Sequence, residues 1–135
     1  MHLKELLSGH RFLVLAVMEG ERCPAVQFLL RGERQYEASR NGLMILLKRA
    51  ATEGLSGFPT SLLHLVDQPN GIYEFIKGDL RLLFFKGQDS DLVVCTEGYI
   101  KKGQKAHKKE VARAIKVKSD YMEAKKSGLI DIEKE

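Results

Sequence analysis

Three runs of strand-forming residues follow one another between Ile72 and Glu97 with almost nothing between them, and this limits the fold more than any other feature. The runs are Ile72–Lys77, Leu80–Lys86 and Asp91–Glu97, rich in Ile, Leu, Val and Phe. Gly78-Asp79 separates the first two, and Gly87-Gln88-Asp89-Ser90 the last two. Both links have turn chemistry and are far too short for a helical crossover, so the three strands form an antiparallel meander.

The rest of the chain is read around that meander. Arg11–Met18 (RFLVLAVM) is an apolar, β-branched run that predicts a buried strand, broken by Gly20. Pro24 suits the first turn of a helix over Ala25–Arg31. Tyr36–Glu53 carries Leu43, Met44, Leu46, Leu47 and Ala50 at the spacing of one helical face, with Gly54 as its stop. Gly42 inside this helix costs about 1 kcal/mol relative to alanine. Residues 55–70 read as a connection with a short helical turn around Leu62–Leu65. A last helix over Ala106–Lys126 has Val111, Ala114, Ile115, Tyr121 and Met122 on one stripe. The expected class is α+β: an antiparallel sheet of about four strands, two N-terminal helices and a C-terminal basic helix, in a single domain over residues 1–135.

Composition excludes several classes. Hydrophobic residues make up 44% and charged residues 30%, a balance that supports a packed core and argues against disorder. The segment MHLKELLSGH is too polar for a secretory signal, and no apolar run approaches the ~18 residues of a membrane span, so the cytoplasm is the expected location. Cys23 and Cys95 lie in apolar runs and are expected as reduced, packed thiols; a zinc site would need more Cys or His close by. The net charge of +4 is unevenly spread. Residues 98–126 hold ten Lys or Arg against three acids, and the remainder holds 12 against 15. A basic end on a near-neutral body points to a polyanionic partner, or else to a solvated lysine-rich helix.

Two constellations carry possible chemistry. A two-residue turn at Gly78-Asp79 pairs Ile76 with Arg81 and sets Glu74 diagonally beside Arg81 on one face. Within LRLLFF the arginine must find water, a carboxylate or a ligand. It is either the structural partner of Glu74 or a guanidinium poised for phosphate. Next comes Tyr99-Ile100-Lys101-Lys102-Gly103-Gln104-Lys105-Ala106-His107-Lys108-Lys109, which leaves a strand, turns at Gly103 and enters a helix. Lysines cluster there, Tyr99 offers a flat face for a base, and His107 is either a polar surface residue or a general acid or base.

The stretch from Gly71 to Met122 resembles the core of the phage-derived branch of the RelE/HigB toxin superfamily. Tyr73-Glu74, Arg81, Phe84-Phe85, Lys101-Lys102, Gln104-Lys105 and Glu110 fall in the order and spacing of that branch, over about 50 residues. Ile76 stands where the branch has a second arginine. Leu80 replaces a tyrosine, Gly103 a threonine and His107 a proline. The resemblance implies a RelE-like fold and a toxin of a type II toxin–antitoxin system, paired with a helix-turn-helix antitoxin. It implies cleavage of mRNA on the ribosome by attack of a ribose 2′-OH on the adjacent phosphate, with no metal, no cofactor and no membrane. On this reading Arg81, Lys102, Lys105 and His107 are catalytic. Tyr73, Tyr99, Lys101, Lys108 and Lys109 bind RNA, and Glu74 is the structural partner of Arg81. The four departures motivate two alternatives: a non-catalytic RNA or ribosome binder, and a phage-derived interaction protein.

Overall fold

A computed structural model describes residues 1–89, 92–104 and 107–134. The strands are β1 (His2–Ser8), β2 (Leu13–Val17), β3 (Leu63–Asp67), β4 (Ile72–Lys77), β5 (Leu80–Lys86), β6 (Leu92–Ile100) and β7 (Asp131–Glu133). The helices are α1 (Pro24–Leu30), α2 (Glu37–Glu53), preceded by a 3-10 turn at Arg34–Tyr36, and α3 (Lys108–Lys126).

All seven strands join one sheet in the order β3-β4-β5-β6-β2-β1-β7. The pairings β2–β6 and β1–β7 are parallel and the others antiparallel. This corrects the expected four-stranded antiparallel sheet: the protein is α+β, but its sheet is mixed and larger. The single strand expected ahead of α1 and α2 is in fact the second strand of a β1–β2 hairpin.

Physical reasons account for the three unread strands. In β1 the register slips between Glu5 and Leu7. Leu3 therefore joins the core on one face, while Leu6 and Leu7 pack on the other. A bulge of this kind destroys the simple alternation that marks a strand. Leu63–Asp67 looked like a helical turn but pairs with β4, with His64 opposite Glu74. Strand β7 has only three residues, all exposed, and is held by parallel pairing with His2–Lys4.

The meander supplies the centre. Gly78, at φ +57°, takes the first place in the β4–β5 turn, where the chain needs a left-handed residue. Strand β5 is buried on both sides, which explains its nearly continuous apolar run. Leu80, Leu82 and Phe84 face α1 and α2, together with Phe75, Val93 and Cys95. Leu83 and Phe85 face α3, together with Ile72, Val94 and Tyr121. Gly42 lies in α2 because the Lys77 side chain crosses it: a Cβ there would sit 2.6 Å from Lys77 Cγ. The helix thus accepts the propensity cost for close approach to β4.

Helix α3 buries Ala114 and Tyr121, with Val111, Ile115 and Val117 half-buried beside them. Met122, expected on that stripe, is exposed instead. No described helix is long and apolar enough to cross a membrane.

Candidate nucleic-acid site

The site grows out of strand register. Ile76, Arg81 and Tyr99 are paired across β4, β5 and β6. Beside them His64 pairs with Glu74 across β3 and β4. An irregularity between Leu82 and Phe84 shifts the β5–β6 register, so that Gly98 opposes Leu82 while Cys95 opposes Phe84. Strand β6 also runs on to Ile100, beyond the expected end at Glu97. Tyr99 is therefore a strand residue on the face that carries Glu74.

Glu74 is only 4% exposed. Its Oε2 accepts a 2.6 Å hydrogen bond from the Tyr99 hydroxyl. Its Oε1 lies 3.7 Å from Arg81 Nε, close enough for charge attraction, and 3.9 Å from His64 Nδ1; both separations are too long for hydrogen bonds. Arg81 Nη1 donates to the carbonyls of Gly78 and Leu80 at 2.7 and 3.1 Å. Arg81 Nε is buried with no hydrogen-bond partner among the described residues. Burial and the bond to the Glu74 carboxylate raise the Tyr99 phenol far above its ordinary range. Tyr99 thus remains a donor at neutral pH and cannot serve there as a base.

The N-terminus of α3 closes over this floor. His107 is the residue preceding the helix, and its ring stacks on Tyr99 with centroids 4.2 Å apart. His107 Nδ1 lies 3.4 Å from Glu110 Oε2. His107 Nε2 is buried without a partner among the described residues. Between α3 and the β3–β4 edge lies a pocket of about 470 Å³. Its polar end is formed by His64, Glu74, Tyr99, Lys101, His107 and Lys108, and its apolar end by Val66, Val111, Ala112 and Ile115.

No protein-family model and no curated protein matches the chain. What the site can do therefore rests on its geometry.

Of the residues singled out in the sequence, Glu74, Arg81, Tyr99, Lys101, His107 and Lys108 come together around this pocket. Lys102 and Lys109 are exposed nearby and do not line it. Lys105 lies outside the described residues. Tyr73 is on the opposite face, stacked on Phe84 with centroids 5.2 Å apart, and Lys86 Nζ sits 5.3 Å from its ring. It cannot act together with Tyr99, because adjacent strand residues point to opposite sides. His64 was missed. The available signal was the alternation in Leu63-His64-Leu65-Val66 just ahead of the Pro69-Asn70-Gly71 turn.

The lysines of α3 divide along the helix. Lys116 pairs with Asp120 at 2.7 Å, Lys125 with Asp89 at 2.9 Å, and Lys118 donates to the Asn70 carbonyl at 2.6 Å. Arg113 holds Glu97 through two hydrogen bonds of 2.7 and 3.3 Å, and this carboxylate raises the arginine further above its ordinary value. Among the described residues, the side chains of Lys101, Lys102, Lys108 and Lys109 have no such partners. Lys126 in the last turn has none either, but the other four of these five lysines stand at the N-terminal end of α3, where the helix dipole also favours an anion. Among the described residues, no group of three or more His, Cys, Asp or Glu is arranged to hold a metal ion.

Proposed function

We propose that this chain binds RNA at the mouth of the α3 pocket and cleaves it by acid–base chemistry, as the toxin of a toxin–antitoxin pair that cuts mRNA on the ribosome. The observation that carries the reading is one pocket that combines a buried carboxylate bonded to a tyrosine and backed by Arg81, a histidine and two lysines, the histidine Nε2 and both lysines having no partner among the described residues. Cleavage through a 2′-OH needs a base, an acid and positive charge beside the phosphate, and these residue types supply all three. The apolar end of the pocket suits a nucleobase or ribose. A helix-turn-helix antitoxin and a cytoplasmic location belong to the same reading. RNA cleavage rests on the site, whereas the toxin role, the ribosome and the antitoxin are what the resemblance of Gly71–Met122 adds, and the seven-stranded sheet differs from the layout which that resemblance implied.

The test is incubation of the purified chain with RNA, with and without ribosomes, followed by mapping of new 5′ ends. Cleavage leaving 2′,3′-cyclic phosphates is expected, and faster cleavage with ribosomes would support the translational target. Intact RNA under both conditions would refute cleavage. Lys101→Ala and Lys108→Ala should each weaken RNA binding and reduce its salt dependence by about one counterion.

One observation favours a non-catalytic RNA binder instead. Arg81, the expected phosphate ligand, already donates to two backbone carbonyls and faces Glu74, with only 15% of its side chain exposed. On that reading RNA binding persists with no product.

A further inference from the structure

We infer that His64 and His107 act as a pair, one as general base and one as general acid, on either side of the scissile phosphate. The inference rests on the cleavage reading above and deepens it.

The two histidines come from opposite walls of one pocket: His64 from the edge strand β3, and His107 from the residue that precedes α3. Each turns its Nδ1 toward a carboxylate, His64 toward Glu74 Oε1 at 3.9 Å and His107 toward Glu110 Oε2 at 3.4 Å. Neither separation is a hydrogen bond as it stands, but a carboxylate on the Nδ1 side favours the orientation that leaves Nε2 to meet a ligand. In His107 that Nε2 is buried and has no partner among the described residues. A buried ring nitrogen with nothing to bond is costly unless a ligand group completes it.

Glu74 also links the two walls. It faces His64 directly and holds the Tyr99 hydroxyl, and the Tyr99 ring carries His107. Glu74 and Tyr99 are thus positioning residues. The charged and titratable groups around the pair are Glu74 from β4, Arg81 from β5, Tyr99 from β6, Lys101 just beyond it, and Lys108 and Glu110 from α3. Lys101 and Lys108 are free to meet the phosphate.

The chemistry balances. One imidazole takes the proton of the ribose 2′-OH as the O2′–P bond forms. The other, protonated, gives its proton to O5′ as the P–O5′ bond breaks. The products are a 2′,3′-cyclic phosphate and a 5′-OH end, and the pair keeps its total of one proton with the roles exchanged.

Two measurements on the full chain test this. The first is the pH profile of kcat/KM for RNA cleavage by the wild type, His64→Ala and His107→Ala. A bell-shaped wild-type profile is expected, with each variant losing one limb and falling on the order of 10²–10⁴-fold. A His64→Ala enzyme that keeps both limbs and its rate would overturn the pair, while the cleavage reading would stand. A wild type that cuts no RNA would remove both.

The second is the ring NMR signals of the chain's four histidines during titration with an RNA oligonucleotide carrying a 2′-deoxy sugar at the cleavage position, which cannot be cut. The signals of His64 and His107 should move together, while those of His2 and His10 stay. A response from only one ring of the pair, or from neither, would overturn the inference without reference to activity.

Discussion

Alternate residues of the same strands build the two faces of the sheet, and the two faces are finished differently. From β5, Leu80, Leu82 and Phe84 pass under α1 and α2, where Phe75, Phe84 and Tyr73 stack in sequence. Also from β5, Arg81, Leu83 and Phe85 pass under α3, where the apolar packing ends at a buried carboxylate and a pocket. Two helices seal the centre of the first face, where Phe75, Phe84, Val93 and Cys95 are fully buried, and a single helix covers the second and leaves one end open. The difference teaches where stability and chemistry are separated. The first face is close-packed at its centre, and its openings, of about 260 and 240 Å³, lie at the margins beside α1 and α2. The second must keep Glu74 and Arg81 away from water yet beside an opening, and only the bond from Tyr99 and the Arg81 charge make that tolerable.

The largest expected effect lies on the sealed face. Phe84→Ala should cost roughly 3–5 kcal/mol, the sum of lost burial and the cavity left between Tyr73 and Phe75. Urea unfolding measures it, and a loss near zero would mean that the face is not packed as described. On the open face, Glu74→Gln keeps the shape but removes the charge. A cost of about 1–3 kcal/mol is expected, because Tyr99 and Arg81 lose a charged partner. The same variant should let the Tyr99 phenol ionise at lower pH. The carboxylate now stabilises the protonated phenol, and a neutral amide does so less. Ultraviolet titration of the wild type and variant reads that shift; an unchanged phenol would mean that the 2.6 Å bond is absent in solution.

The smallest effect again concerns the sealed face. Burial pushes the Cys95 thiol up from 9.0 to about 12. Between those values the unfolded chain has lost the thiol proton and the folded chain keeps it. The folded state therefore binds more protons, and stability falls as pH rises through that window. Below pH 9 the contribution is fully present. Stability measured from pH 8 to 11 should fall less steeply for Cys95→Ala than for the wild type, and parallel slopes would contradict a sealed Cys95.

Part of this arrangement was legible in the residues themselves. The turn at Gly78-Asp79 fixed the pairing of Ile76 with Arg81, and hence the diagonal meeting of Glu74 with Arg81, because a two-residue loop allows one register. Helix α2 could be read from its apolar spacing, and Gly42 was the one local contradiction; the crossing Lys77 side chain explains it. Strand β1 was hidden by its bulge, β3 by a sequence that also suits a helical turn, and β7 by its length. Losing β3 also hid His64, so His107 looked solitary. Tyr73 and Tyr99 were grouped as stacking residues by type, although strand alternation and the β6 register put them on opposite faces.

The sequence by itself determined the meander, the basic start of α3 and the Glu74–Arg81 pairing, because each follows from turn length, charge count and the two-residue period of a strand. Only the tertiary structure decided the parallel union of β2 with β6, the bond from Tyr99 to Glu74 and the placing of His64 and His107 around one pocket. Those contacts join residues far apart in the chain, and no local spacing constrains them. They are selected by which apolar faces can be buried together.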